Sequence, residues 1–292
     1  MHKSESKAGQ IFNYIIFGNI FIAICAVLMS YYTFAVFDSP VNFTLLGFIF
    51  FAAISSYSFH SYLPTTEKEY SRKVQWSIKR RSYFMALLII GTVGASIFLF
   101  FLEQDLKLIL ALILFTILYS SPKIRFEKFS FFKRFGTAKT LYLAAVWTLV
   151  TVSLPLSIIE FDTGNAGILF FANRFLLIYA ICILFDLKDK EYDIQRGIKS
   201  VITILDEKKI ELLYFICLIL FFISSLVLYI FRDSGLMVLT LIAPGALLAF
   251  LFQKSKETKS DYWFSFLLDG IMMLSPILYL IALGIKKILI FD

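Results

Sequence analysis

Residues 185–200 read FDLKDKEYDIQRGIKS, a cluster of acidic and basic side chains that directly follows a long apolar run. Three of its aspartates, Asp186, Asp189 and Asp193, have the spacing i, i+3, i+7. On a helix that turns about 100° per residue they fall within about 60° of one another. The spacing therefore predicts one acidic stripe on one helix face.

Ionised carboxylates this close repel one another, so a bound cation is needed to stabilise all three charges. Mg2+ fits this role, because it bridges one or two carboxylates to substrate phosphates. The acidic stripe therefore predicts a metal site with a catalytic role. The alternative is that the helix simply ends in water here, where charged side chains cost little and need no ligand. The interleaved Lys188 and Lys190 favour the binding site, as does the segment 197–200 with Lys199.

The composition predicts an all-α integral membrane protein. Hydrophobic residues make up 59% of the chain and 34 residues are Phe, whereas a soluble domain has about 45–50% apolar residues. The apolar runs suit helices that cross about 30 Å of hydrocarbon. They lack the ten-residue alternation of membrane barrels.

Nine apolar runs predict about nine transmembrane helices in a single polytopic membrane domain, residues 1–292. The predicted spans are 11–37, 41–62, 82–102, 106–120, 140–159, 167–185, 210–231, 236–252 and 263–283.

The lysines and arginines predict the orientation. Of these 28 residues, 23 lie in the amino-terminal tail or in segments 63–81, 121–139, 186–209 and 253–262. All five segments lie on one side of a nine-span protein, and basic loops face the cytoplasm. We therefore expect a multi-pass protein of the cell membrane with a cytoplasmic amino terminus and cytoplasmic long loops. The net charge of +7 then reflects the topology of the chain, because its basic residues lie beside membrane spans and face membrane lipid. No nucleic-acid partner is expected.

The basic segment 121–139 has two interpretations. Its cations hold anionic lipid, at about 1 kcal/mol each near the surface. Alternatively, Lys123 and Arg125 bind the phosphate of a substrate beside the acidic stripe.

Polar residues inside the predicted spans are costly in hydrocarbon and indicate a cavity or the bundle interior. Asn19, His60 and Asp269 fall at similar depths near the cytoplasmic side. We expect His60 and Asp269 to have catalytic roles and Asn19 to bind substrate, although a backbone carbonyl can equally satisfy a histidine. Arg174 either snorkels outward or pairs with an acid.

The acidic stripe and its Gly-x-Lys-Ser tail resemble the second Asp-rich motif of the UbiA superfamily of intramembrane prenyltransferases. Residues 119–123, YSSPK, are similar to the Tyr-x-x-Pro segment of that family. The resemblance implies a UbiA-like bundle around a central cavity open to the cytoplasmic side. It implies that the stripe binds Mg2+ and an isoprenyl diphosphate, that Lys123 contacts the diphosphate, and that the prenyl group passes to a lipophilic or aromatic acceptor.

Further substrate contacts are expected from Lys199 and Tyr119. In the enzyme interpretation, aromatic side chains of the spans line the cavity and stabilise an allylic cation. The candidates are Tyr119, Tyr142, Trp147 and Tyr179.

One family motif is missing. The first Asp-rich motif, NDxxDxxxD, belongs at the end of the second span, where the chain reads SFHSYLPTT from Ser58. With Ser58 in the Asn place, the three acids fall on Phe59, Tyr62 and Thr66. Fewer metal ligands remove part of the stabilisation of a diphosphate leaving group. Besides a prenyltransferase, a membrane terpene cyclase and an inactive protein that binds isoprenoid or quinone lipid therefore remain open.

Overall fold

The computed structural model describes residues 6–63, 71–102, 106–120, 139–195, 200–232 and 234–291. Regular structure in these ranges is entirely helical, which confirms the all-α class. The helices are α1 (Lys7–Ile16), α2 (Ile20–Val36), α3 (Phe43–Tyr62), α4 (Arg72–Lys79), α5 (Arg81–Phe100), α6 (Leu106–Ser120), α7 (Lys139–Thr148), α8 (Leu154–Leu156), α9 (Gly164–Gln195), α10 (Val201–Ile204), α11 (Glu207–Arg232), α12 (Gly235–Glu257), α13 (Asp269–Ile271) and α14 (Leu274–Phe291). Two π-helical turns, π1 (Leu149–Ser153) and π2 (Trp263–Leu268), precede α8 and α13.

Five of the described helices are long and apolar enough to cross a membrane, and up to seven spans result if each of two bent helix pairs counts as one. These helices indicate a multi-pass membrane protein. The predicted spans 106–120 and 140–159 coincide with α6, which has 15 residues, and with a shorter apolar helix, Thr140–Leu156. A span needs about 20 apolar residues. The number of nine spans therefore stays a prediction.

The predicted span 11–37 consists of two helices, because the chain bends by 52° between α1 and α2. Asn19 lies at the bend with a φ of 67°, in the left-handed region that asparagine tolerates better than most residues. Its buried side chain donates from Nδ2 to Ser61 Oγ at 3.3 Å. The sequence sign of this bend is the pair Gly18 and Asn19, two turn-favouring residues inside an otherwise apolar run.

The described residues form two compact units. The first unit comprises 6–27, 42–63, 71–102 and 260–270, and its largest internal contact joins α3 to α5. A Cβ on Gly91 would lie 2.6 Å from the backbone nitrogen of Ser55. The hydroxyls of Ser55 and Thr92 lie 2.8 Å apart at the same crossing. The absence of a side chain at Gly91 therefore allows these two backbones to approach closely.

The second unit comprises 28–41, 106–120, 139–195, 200–232, 234–259 and 271–291. Its central element is α9, which packs against α7, α11 and α12. Of the apolar window of α9, 61% is buried, the largest share among the five candidate spans of the described chain. The expectation of a single domain over 1–292 stays a prediction.

A buried amide joins α9 to α11. The Asn173 side chain is 0% exposed, and its Nδ2 donates to Ser224 Oγ at 2.9 Å, to Ser225 Oγ at 2.8 Å and to the carbonyl of Phe221 at 3.1 Å. Hydrocarbon offers no competing water, so hydrogen bonds of this kind hold membrane helices together.

We expect Asn173→Ala to lower the free energy of unfolding by about 1–2 kcal/mol, because a hydrogen bond between membrane helices contributes about 0.6–2 kcal/mol. Thermal unfolding of the purified protein in detergent measures the loss. Asn165→Ala is the matched control, since Asn165 is exposed on the same helix. An equal loss in both variants would contradict the role of the buried amide.

Candidate functional site

The acidic stripe lies on the last three turns of α9, as its spacing predicts. This helix continues without a break for 32 residues, from the apolar segment into the charged one. Asp186 is half-buried, Asp189 is exposed and Asp193 is only 7% exposed. The stripe is therefore open to solvent at its middle residue.

Thr140, at the start of α7, positions the first aspartate of the stripe. Its hydroxyl donates to Asp186 Oδ2, and the threonine itself is 3% exposed. The bond joins α7 to α9 where both helices reach the charged end of the second unit. Sequence reasoning missed Thr140, because a threonine at the start of an apolar run gives no sign of a partner on another helix.

Ion pairs join the helix ends around the stripe. Lys259 lies 2.5 Å from Glu191 of α9. Lys256 of α12 lies 2.6 Å from Glu207 and 2.5 Å from Glu211, both on α11. These pairs hold α9, α11 and α12 together at the end of the second unit that carries the stripe.

The linker between α10 and α11 is tied to the same end. Lys190 of α9 donates from Nζ to the carbonyl of Leu205 at 3.3 Å. Asp206 follows Leu205, and a hydrogen bond from the ammonium group of Lys209 lowers the pKa of its carboxyl group. Asp206 therefore remains ionised to a lower pH than a free aspartate.

The carboxylates of the stripe do not form a closed metal site by themselves. Among the described residues, no three or more His, Cys, Asp and Glu side chains form a group that could hold a metal ion by itself. Carboxylate oxygens nevertheless suit Mg2+, which needs only one or two of them when substrate phosphates complete its shell. Asp186 and Asp189, one turn apart, fit such a shared site.

The polar candidates from the predicted spans lie in the first unit, whereas the stripe lies in the second. Asn19 contacts Ser61, the neighbour of His60 in the last turn of α3. His60 is half-buried. Asp269 follows π2, is also half-buried, and accepts a bond from Cys25 Sγ on its backbone oxygen at 3.5 Å. A shared cavity for these residues and Asp193 stays a prediction.

The end of α3 takes a different form where the first family motif would lie. Ser58 is 0% exposed, and none of the described residues forms a hydrogen bond with its hydroxyl. The guanidinium carbon of Arg81 lies over the ring of Tyr62, 4.4 Å from the ring centroid. An aromatic ring thus holds a cation at a position where the motif would have an acid. The side chains of α3 therefore do not fit a second magnesium ion.

A buried acid that sequence reasoning missed anchors α4. Asp261 is 7% exposed, and its Oδ2 accepts hydrogen bonds from Ser71 Oγ at 3.0 Å and from the backbone nitrogen of Lys73 at 2.9 Å. Lys73 also donates from Nζ to Ser265 Oγ at 3.3 Å. Asp261 stands in a polar loop sequence, where nothing marks it as buried.

Arg174 does not snorkel outward, and no acid of the described residues forms an ion pair with it. The residue is 1% exposed, and its guanidinium lies over the rings of Tyr32 and Phe170 at 4.9 and 5.2 Å. The expectation of snorkelling is therefore wrong, and pairing with an acid stays a prediction.

The remaining predicted residues cannot be placed. Lys123, Arg125 and Lys199 lie outside the described residues. Tyr119 belongs to α6, but its side chain is not among those described. Their roles stay predictions.

Comparison with known proteins identifies the family. Residues 70–275 match the model of the UbiA prenyltransferase family. No curated protein and no solved structure matched the chain. The matched range contains the whole acidic stripe and excludes Asn19 and His60. Because it extends over well more than half of the sequence, and because the resemblance of the acidic stripe points the same way, the chain belongs to the UbiA prenyltransferase family.

Proposed function

We propose that this protein is an intramembrane prenyltransferase that moves an isoprenyl group from a prenyl diphosphate to a lipophilic or aromatic acceptor. The observation that carries the proposal is the acidic stripe on an unbroken α9 within the family-matched range. Membership of the family supports prenyl diphosphates as substrates in general, and the reaction of this chain is the inference.

In this proposal Asp186, Asp189 and Asp193 would hold Mg2+ together with the diphosphate. When bound, the ion supplies positive charge to the departing diphosphate. Thr140 keeps the Asp186 carboxylate in one orientation through its hydrogen bond. Lys123, Arg125 and Lys199 are proposed to bind the remaining phosphate oxygens.

The reaction breaks the bond between the allylic carbon and the diphosphate oxygen, and the diphosphate keeps the electron pair. The allylic carbon then bonds to the acceptor, which loses a proton. Tyr179 lies on the same face of α9 as Asp186, seven residues earlier and thus about 10 Å deeper. It is 6% exposed and stacks on Phe175 at 5.8 Å. Electron-rich rings at this depth can stabilise an allylic cation.

Nine spans, a cavity open to the cytoplasm and residence in the cell membrane belong to the same proposal. The excess of basic residues in alternate loops supports the orientation. The roles of His60 and Asp269 as catalytic groups and of Asn19 as a substrate contact are also proposals.

A second candidate function follows from the end of α3. Ser58, Phe59 and Tyr62 supply no carboxylate, and Tyr62 already holds Arg81. A protein that keeps the stripe and lacks the first motif could bind an isoprenoid or quinone lipid without turnover. A terpene cyclase, which needs the cation and a pocket but no acceptor, is compatible with the same features.

The double variant Asp186→Asn, Asp189→Asn is expected to abolish Mg2+-dependent binding of a prenyl diphosphate, because neutral amides do not hold the ion against phosphate. Geranylgeranyl diphosphate binding, measured by isothermal calorimetry with and without Mg2+, checks this.

Glu191→Gln is the matched control. It removes one carboxylate from the same helix, and Glu191 points away from the stripe by about 140°. Binding that survives in the double variant, or that disappears equally in Glu191→Gln, would refute the assignment of the stripe.

Thr140→Val is expected to weaken Mg2+-dependent binding about tenfold, the usual lower effect of removing a residue that orients a metal ligand. Thr140→Ser should restore the wild-type Mg2+ dependence, because it keeps the hydroxyl. A purely structural threonine would instead lower the thermal stability of the valine variant and leave its Mg2+ midpoint unchanged.

Restoring the first motif separates the two candidate functions. The triple variant Ser58→Asn, Phe59→Asp, Tyr62→Asp adds two carboxylates to the end of α3. If the protein is a weakened transferase, diphosphate release from prenyl diphosphates should rise. Binding without turnover, in both the wild type and the triple variant, would favour the lipid-binding function.

A further inference from the structure

The second unit contains a buried arginine with incomplete hydrogen bonding. Arg174 is 1% exposed, near the middle of α9. Its NH1 donates weakly to Ser275 Oγ at 3.5 Å, and its NH2 has no hydrogen-bond partner among the described residues. The guanidinium therefore keeps donor capacity that the described protein does not use.

No carboxylate of the described residues neutralises this cation. Its guanidinium instead contacts the faces of the Tyr32 and Phe170 rings. Cation–π contacts stabilise a desolvated guanidinium only in part, whereas an unpaired charge in a membrane interior is costly. Intramembrane charges of this kind mark a functional site and require a partner.

The aromatic partner of the arginine, Tyr32, belongs to a small polar network. The hydroxyl of Tyr32 lies 2.7 Å from Thr240 Oγ1, and the Tyr279 ring meets Tyr32 edge to face at 5.6 Å. Ser275 supplies the hydroxyl that contacts the guanidinium itself. A planar guanidinium with an unused NH2 matches a compact anion, above all a carboxylate, which it binds through two parallel bonds.

Alternating cations and rings connect Arg174 to the end of the second unit. The Phe170 ring meets Phe37 at 5.8 Å, and Phe37 lies under the guanidinium of Arg232 at 5.3 Å. Arg232 pairs with the exposed Asp38, and its buried Nε has no hydrogen-bond partner in the described part of the chain. Arg232 is the last residue of α11, whereas the acidic stripe lies near the first residue of that helix. The series therefore leads to the end of the second unit that does not carry the stripe.

We propose that Arg174, with the hydroxyl of Ser275 beside it, binds one compact monovalent anionic group, either a halide ion or a carboxylate. Arg174 precedes Asp186 by twelve residues, about 18 Å along the helix. The anion site is therefore separate from the diphosphate site and does not rest on the proposed reaction.

The test is thermal unfolding of the purified full chain in detergent, with sulfate as the balancing anion at constant ionic strength. Chloride is titrated in one arm and benzoate in the other. A ligand that binds only the folded protein raises the midpoint temperature. We expect a saturable rise in at least one arm. A rise with chloride identifies an inorganic ion as a source, and a rise with benzoate alone identifies an organic carboxylate.

Variants locate the effect. Arg174→Gln should lose the anion-dependent rise, and Arg174→Lys should need about tenfold more anion, because lysine lacks the planar fork. Asp186→Asn should keep the rise, which separates this site from the stripe. Should Arg174→Gln fail to fold, Ser275→Ala provides the second variant, with a weaker anion response expected.

Two results would overturn the proposal. One is a wild-type protein whose midpoint temperature does not respond saturably to either anion. The other is an unchanged anion response in Arg174→Gln, which would place the anion elsewhere.

Discussion

Continuity of α9 is the constraint on which the second unit depends. One helix carries the buried Asn173 and Arg174 in its apolar part and the acidic stripe in its polar part. Because a helix is rigid over this length, the packing of the apolar part against α7, α11 and α12 also fixes where the carboxylates lie. Thr140 then needs only one hydrogen bond to orient Asp186. Stability and the candidate chemistry are therefore combined in one element.

Both units hold cations on aromatic rings. In the first unit Arg81 lies over Tyr62, and Arg80 lies 4.5 Å from the ring of Trp76. In the second unit Arg174 lies over Tyr32. A ring gives a guanidinium an electrostatic partner without introducing a second charge that must also be desolvated. The abundance of Phe and Tyr in this chain thus serves its arginines as well as its lipid-facing surface.

Local patterns predicted well and distant contacts did not. The spacing of Asp186, Asp189 and Asp193 fixes their shared face, because helical periodicity depends only on neighbours in sequence. The bond from Thr140 crosses 46 positions to reach Asp186, so no local pattern contains it. The bend at Asn19 depends on one backbone torsion and on a side-chain contact to another helix. Family resemblance gave what periodicity could not, namely a chemical identity for the acidic stripe.

The π-helical turn before Asp269 has an evolutionary consequence. A π turn holds one residue more than the α-helical turn it replaces, and each residue of an α-helix turns the chain by about 100°. Loss of a single residue from Trp263–Leu268 would therefore convert the π turn to an α turn, and Asp269 and the later side chains of that helix would keep their directions. One codon deletion could thus remove the π turn from related chains without changing which residues of their last span face inward.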